Sequence, residues 1–182
     1  MRSLIDRLTS AHIGETTNFY RDGAGAALRR ERLAAYLEAR SGSPLLLLGE
    51  APGYRGARVS GIPFTSERQL TGSGPAEATA TVVQRVLAEL GLTEHVLCWN
   101  VVPTHPGTER SNRRPTRAEV AAGRCFAEEL ARGRRVVAVG RIAANALGAP
   151  YIRHPSHGGV AEFRDGLLPF APGGRPVRPF SV

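Results

Sequence analysis

Residues 44–64 read P-L-L-L-L-G-E-A-P-G-Y-R-G-A-R-V-S-G-I-P-F, a short apolar run that stops abruptly at a glycine. The leucines Leu45, Leu46, Leu47 and Leu48 are too few to make a free-standing helix, and they show no polar alternation. That pattern belongs to a strand covered on both faces, as in a parallel sheet. Gly49, Pro52, Gly53 and Gly56 then impose a turn. Open α/β sheets hold ligands beyond the carboxyl ends of their strands, so Glu50, at the exit of this strand, stands where a small molecule would be held. An aromatic residue, Phe64, follows the turn.

The rest of the chain alternates helix and strand signals. Residues 26–39 carry Ala27, Leu28, Leu33, Ala34 and Leu37 at helical spacing, and S-G-S-P over 41–44 breaks the pattern. A short helix is expected around 4–8, and a longer one from Pro75 to about 90, with Gly91 as its stop. A second strand is expected over 95–99. Thr116 and Glu119 form a capping-box start for a helix to about 132. A third strand over 135–139, a short helix over 141–147 and a short fourth strand over 151–153 complete the set. Residues 14–25 and 100–115 read as loops, and 65–74 is ambiguous. The expected class is α/β, a three-layer fold with a central, mostly parallel four-stranded sheet. Residues 1–182 read as a single domain, with N-terminal helices within 1–43 and an extended Pro/Gly/Arg-rich tail over 169–182.

The formal charge is +8, from 24 basic and 16 acidic residues. Such a balance favours a polyanionic partner, nucleic acid first, because basic side chains displace condensed counterions. A GC-rich coding sequence, which enriches Arg and Ala, is the alternative source of the same charge. Every basic residue is Arg; the sequence has no Lys, which excludes chemistry through a lysine amine. Cys98 and Cys125 are too few for a disulfide framework, a four-cysteine cluster or a zinc site, and both are expected to be buried thiols. Residues 1–14 have scattered charges and no apolar core, as in neither a secretion signal nor a membrane span. The expectation is a soluble, cytoplasmic protein without a membrane partner.

Two further strand ends carry polar motifs. Trp99-Asn100-Val101-Val102-Pro103 closes the second strand, and the loop after it runs through Arg110, Arg113 and Arg114 into P-T-R-A-E at 115–119. His154-Pro155-Ser156 closes the fourth. Alone, a strand-end Asn can simply cap a loop, and a His-Pro can simply be a turn. Together with G-E-A-P-G and G-I-P-F, in this order over about 45–168, these motifs resemble the uracil-DNA glycosylase superfamily, most nearly its G-E-A-P-G group, family 4.

The resemblance implies a monofunctional DNA glycosylase that hydrolyses the N-glycosidic bond of deoxyuridine and so initiates base excision repair. It assigns Phe64 to stacking on the flipped base and Asn100 to reading uracil. One amide donates to O4 and accepts from N3–H, a pattern that cytosine contradicts. His154 would stabilise the leaving anion at O2. Glu50 would assist the water or the cationic sugar, or else hold the loop through backbone N–H groups. Gly49, Ala51, Gly53 and Ser156 would complete the substrate pocket. Arg55, Arg58, Arg110, Arg113, Arg114 and His157 are candidate DNA contacts, each also readable as an ordinary solvated side chain. The implied partner is DNA, the implied state a monomer.

The departures are informative. The third position of the first motif, where related enzymes hold the water with Asp or Asn, is Ala51. Two cysteines cannot ligate the family 4 iron–sulfur cluster, so no cofactor and no metal are expected. Gly158 stands where a bulky residue usually fills the gap left by the flipped base, and glycine cannot act as a wedge; His157 is the nearest bulky substitute. Single-stranded or mismatched DNA, where unstacking costs least, is the expected substrate. The alternative is a nucleobase- or DNA-binding protein on this fold that has lost turnover. A nucleotide hydrolase is disfavoured by the lack of G-x-G-x-x-G and G-K-[ST].

Overall fold

The leucine run forms a strand buried along its whole length in a computed structural model of the chain, which describes residues 2–173. In chain order the strands are β1 (Leu45–Gly49), β2 (Val96–Asn100), β3 (Gly107–Thr108), β4 (Ser111–Asn112), β5 (Arg135–Val139) and β6 (Tyr151–Ile152). Four of them form one sheet in the order β2-β1-β5-β6, with every pair parallel, and β3 and β4 pair only with each other, antiparallel. The helices are α1 (Arg2–Ser10), α2 (Ala26–Ala39), α3 (Ala57–Ser60), α4 (Glu67–Thr71), α5 (Ala78–Glu89), α6 (Arg117–Ala131), α7 (Arg141–Leu147) and α8 (Val160–Leu167).

Successive residues of a strand point to opposite faces, and the leucines divide accordingly. Leu46 and Leu48 join Leu97, Trp99 and Ala138 against Leu8 of α1, Leu33 and Leu37 of α2, Phe126 and Leu130 of α6 and Ala143 of α7. Leu45 and Leu47 join Val96, Cys98, Val137 and Val139 against Val83, Val86 and Leu87 of α5 and Phe163 and Leu167 of α8. Each leucine so buried contributes about 1.5–3 kcal/mol, which is why an apolar run, not an alternating one, makes this central strand. The fold is the expected α/β one, with helices on both faces of a four-stranded parallel sheet.

Some expectations needed correction. α5 starts at Ala78, because Glu77, just before it, is extended and Pro75 lies outside the helix. The turn after β1 holds α3, the ambiguous stretch 65–74 holds α4, and the long loop after β2 holds the β3–β4 hairpin. α8 follows the His154 motif. Cys98 is buried inside β2, but Cys125 is exposed: α6 turns Gly123, Phe126, Ala127 and Leu130 to the core and carries Cys125 on another face. The tail begins as a single 3-10 turn at Leu168–Phe170, and its part beyond 173 lies outside the described residues.

Candidate active site

Because β1, β2, β5 and β6 run parallel, their carboxyl ends share one edge of the sheet. Gly49 and Asn100 end β1 and β2 as register partners, and His154 lies two residues beyond β6. Pairing continues past the strands, with Val101 N donating to Gly49 O (2.9 Å) and Val102 N to Glu50 O (3.0 Å). This ladder fixes where the G-E-A-P-G turn leaves the sheet. At that edge lies a cavity of about 220 Å³. Its wall includes Gly49, Glu50, Ala51, Pro52, Gly53, Phe64, Asn100 and His154 from the motifs, together with Ala57, Glu77, Thr79, Asn112 and Arg113.

Asn100 is only 4% exposed, and its side-chain amide makes no hydrogen bond among the described residues. An amide on a cavity wall that no protein group bonds is free to donate and to accept there. Gly49 is needed for the approach: a Cβ there would sit 2.7 Å from Asn100 Oδ1 and 2.3 Å from Phe64 Cζ. Phe64 presses its ring edge on Gly49 while its carbonyl accepts from Gln84 Nε2 (3.0 Å). Among the described residues, Phe64 and His157 are the two non-glycine residues with positive φ, both at 52°. Such conformations cost on the order of 1–3 kcal/mol and cluster at ligand sites; Phe64 ends G-I-P-F, and His157 directly follows His154-Pro155-Ser156.

The tautomer of His154 follows from its neighbours. The backbone N–H of Ser156 donates to Nδ1 (3.1 Å) and Ser156 Oγ lies 2.7 Å from the same nitrogen. A backbone N–H can only donate, so Nδ1 accepts and the proton of the neutral ring is on Nε2. Burial, aided by the nearby His157, lowers the His154 pKa and keeps the ring neutral. Ser156 is thus an orienting residue. Burial raises the pKa of Glu50, and the Arg114 charge opposes that rise. The loop-holding alternative for Glu50 is not what the structure has: its carbonyl is used by Val102, while its carboxylate makes no hydrogen bond among the described residues.

A second, open cleft of about 460 Å³ adjoins the cavity and shares Glu50 and His154 with it. Its other walls include Arg114, Arg141, Tyr151, Ser156 and His157. The Arg141 guanidinium stacks over the Tyr151 ring at 5.6 Å, and Tyr151 is 47% exposed. Arg141 was not singled out in the sequence, because a helix-start Arg after a glycine looks like any solvated residue.

The other arginines are dispersed. Arg55 and Arg58 line a separate depression with Tyr54 and Arg68, and Arg58 lies 3.6 Å from Glu109. Arg110 is exposed on the hairpin turn. Arg113 reaches the cavity wall but holds Glu119 with both terminal nitrogens (2.8 and 2.6 Å), tying the loop to α6. Gly158, with φ 79° and open space around it, fills nothing, and His157 beside it is exposed.

Three wall residues were not legible in the sequence. Glu77 and Thr79 come from the start of α5, and Asn112 from β4, where its side-chain oxygen accepts from Tyr54 N (2.8 Å). The hairpin is held to the turn by the buried ring of His105, with Nδ1 2.8 Å from Pro52 O and Nε2 2.9 Å from Thr108 O. The sequence signal that could have found Glu77 is the pair Gly53 and Gly56, where a Cβ would meet its carboxylate.

Residues 38–171 match the family model of the uracil DNA glycosylase superfamily. The chain belongs to that superfamily. Its structure is similar to that of wild-type SMUG2 from Pedobacter heparinus, with a TM-score of 0.67 over 93% of this chain and 94% of that one, at 16% identity. That identity supports likeness of fold alone. No curated protein matches the chain by sequence. The iron–sulfur cluster of the superfamily's family 4 does not fit these residues. Cys98 is sealed in β2, where burial pushes its thiol up to about 12, and Cys125 is exposed on α6. Among the described residues, no group of three His, Cys, Asp or Glu side chains is placed to hold a metal, and no helix is long and apolar enough to cross a membrane.

Proposed function

We propose that this superfamily member is a monofunctional DNA glycosylase that hydrolyses the N-glycosidic bond of deoxyuridine in DNA. The observation that carries the reading is the position of Glu50 and His154 at the junction of two unlike spaces. One is a small cavity walled by the Asn100 amide, which no protein group bonds among the described residues; at about 220 Å³ it is below the roughly 300–1,000 Å³ of drug-sized sites and suits one heterocycle. The other is an open cleft with two arginines, suited to a sugar–phosphate backbone. A nucleotide with its base in the first and its backbone in the second has its glycosidic bond at the junction.

In this reading the base stacks on Phe64, while Asn100 donates to O4 and accepts from N3–H. His154 Nε2–H donates to O2, where charge gathers as the C1′–N1 bond breaks. Glu50, at the sugar side, stabilises the cationic C1′ and orients the water that adds there, and the departing base takes up a proton from solvent. Ala51 cannot hold that water, which leaves the task to Glu50. The sequence has no lysine to form a Schiff base with the sugar, so the product is an intact strand bearing an abasic site. The exposed, open Gly158 suits single-stranded or mismatched DNA, bound by a monomer, over fully paired duplex.

Base release from a single-stranded uracil oligonucleotide tests the reading. Release by the parent protein, strongly cut in Asn100→Ala and without a borohydride-trapped adduct, supports it. Binding without release would favour the second reading, a nucleobase-binding protein without turnover, which the bare Ala51 position motivates. Undiminished release by Asn100→Ala would remove Asn100 from the site.

A further inference from the structure

Among the described residues, Tyr151 is the one aromatic side chain that is exposed, at 47%. It opens β6, the edge strand of the sheet, where successive side chains point to opposite faces. Ile152 joins the core beside Phe163 and Leu167, and Tyr151 points the other way. The backbone on both sides of the ring is pinned to β5, with Ala138 N donating to Pro150 O (2.8 Å) and Gly140 N to Ile152 O (3.0 Å). The Arg141 guanidinium, at the start of α7, lies over the ring, 5.6 Å from its centre. The ring is thus held in place while nearly half of the residue stays in water.

The surroundings say what would cover it. Tyr151 lines the outer cleft and not the inner cavity, so it does not meet the base that Asn100 would read. The cleft, at about 460 Å³ against about 220 Å³ for the cavity, has room beyond one sugar and its phosphate. Tyr151 and His154 stand three residues apart, a span of at most about 10 Å, so a group over Tyr151 belongs to a nucleotide next to the one in the cavity. Arg114 and Arg141, both exposed, wall the same cleft. Cations for the backbone beside an aromatic ring for a base are the pairing with which proteins hold single-stranded nucleic acid.

Resting on the reading of the site given above, we propose that Tyr151 is a stacking platform for the base that neighbours the nucleotide held in the cavity, in single-stranded DNA. Arg141 backs the ring, and the base lies on its open surface. In a duplex the neighbouring base is already paired and stacked, and moving it onto Tyr151 would cost those contacts; in a single strand it is free. The platform selects single strands by attraction, whereas Gly158, with open space around it, only fails to open a duplex.

The test uses a single-stranded oligonucleotide with one 2′-fluoro-2′-deoxyuridine, whose fluorine slows glycosidic cleavage so that binding is read alone. The strand is made complete, and with the base 5′ or the base 3′ to the uridine removed as a tetrahydrofuran abasic residue. Dissociation constants are measured by fluorescence anisotropy for the parent, Tyr151→Ala and Tyr151→Phe. In the parent, removing the base on one side should weaken binding about fivefold or more, and removing the base on the other side should matter less. Tyr151→Ala should bind the complete strand about as weakly as the parent binds the gapped one, and lose no more than about twofold further from the gap. Tyr151→Phe keeps the ring and should behave as the parent. The slope of log affinity against log salt should be unchanged in Tyr151→Ala, because a stacked base releases no counterions.

Complete and gapped strands are compared within each variant, so a misfolded fraction cancels. A parent indifferent to both gaps, a Tyr151→Ala protein as sensitive as the parent, or a Tyr151→Phe protein that behaves as Tyr151→Ala would overturn the platform. Uracil release from an ordinary strand, assayed alongside, would then still support the hydrolytic reading. Gap-dependent binding without any release would leave the platform standing and remove turnover instead. A parent that binds none of the strands overturns both.

Discussion

The inner cavity and the outer cleft share two residues and are built on opposite principles. In the cavity three of the groups given proposed roles are fixed by backbone: Asn100 by the β1–β2 register, Phe64 by a left-handed main-chain conformation, His154 by the Ser156 N–H. In the cleft, Arg114, Arg141 and His157 are exposed, and their nearest order comes from Arg141 resting on Tyr151. Groups preorganised out of water act strongly one by one. Exposed charges act weakly, in sum, and under the control of salt. Rate and base choice should therefore reside in the cavity, and affinity in the cleft.

The largest expected effect lies at His154. His154→Ala removes a donor whose tautomer the fold has set, and loss of one such donor costs about 10²–10³ in rate. Single-turnover release of uracil should fall by that factor while binding of uracil-containing DNA changes little. The pH profile should carry the same signature. Because the pKa of His154 is lowered from 6.5, the rate should be level through neutral pH and fall only on the acid side, where a proton on Nδ1 forces the ring off the Ser156 N–H. A rate within about threefold of the parent in His154→Ala, or an equal loss from a substitution confined to the cleft, would break the contrast.

The two regions were unequally legible in the sequence, for a physical reason. Strands buried on both faces write themselves as apolar runs, and in a parallel sheet the residue after the run is at the site edge; Glu50, Asn100 and His154 could be found this way. The β3–β4 hairpin could not, since two-residue strands paired only with each other leave no period. Glu77 and Asn112 reach the cavity by long-range packing, one against two glycines and one onto Tyr54 N. Cys125 was misplaced because its helix buries a stripe that a single apolar residue does not reveal. Arg113 looked like a phosphate contact because the run N-R-R-P-T gives no hint that Glu119 would take both its terminal nitrogens.

That last pairing gives a prediction about the frame between the two regions. Glu119 is buried, accepts from Arg113, Thr116 N and Glu15 N, and its pKa is lowered from 4.5 to about 2, chiefly by the Arg113 hydrogen bond. A carboxyl depressed on folding stabilises fully above its unfolded pKa, and that stability is lost as pH falls through the folded value. Stability should therefore drop by on the order of 2 kcal/mol between about pH 4.5 and pH 2. In Glu119→Gln, which still supports a capping box, this part of the pH dependence should be absent from urea midpoints. An unchanged acid slope in that variant would assign the acid sensitivity to other carboxyls.

The smallest effects are expected in the cleft, where they sharpen the contrast most. Arg114→Gln and Arg141→Gln each remove one exposed charge from the wall of the cleft. If each meets one phosphate of a single strand, each should weaken binding severalfold at moderate salt, alike for uracil-containing and uracil-free DNA. Each should also lower the slope of log affinity against log salt by about 0.7. Single-turnover release at saturating protein should stay near the parent value for Arg141→Gln. Arg114→Gln has one further consequence, because the Arg114 charge opposes the rise in the Glu50 pKa. Removing it should push Glu50 higher and move upward the part of the acid limb that Glu50 contributes beside His154, with no such movement in Arg141→Gln. If the two variants shift the profile equally, Glu50 does not feel Arg114 more than Arg141, and the junction between cleft and cavity is not where the charge on Glu50 is set.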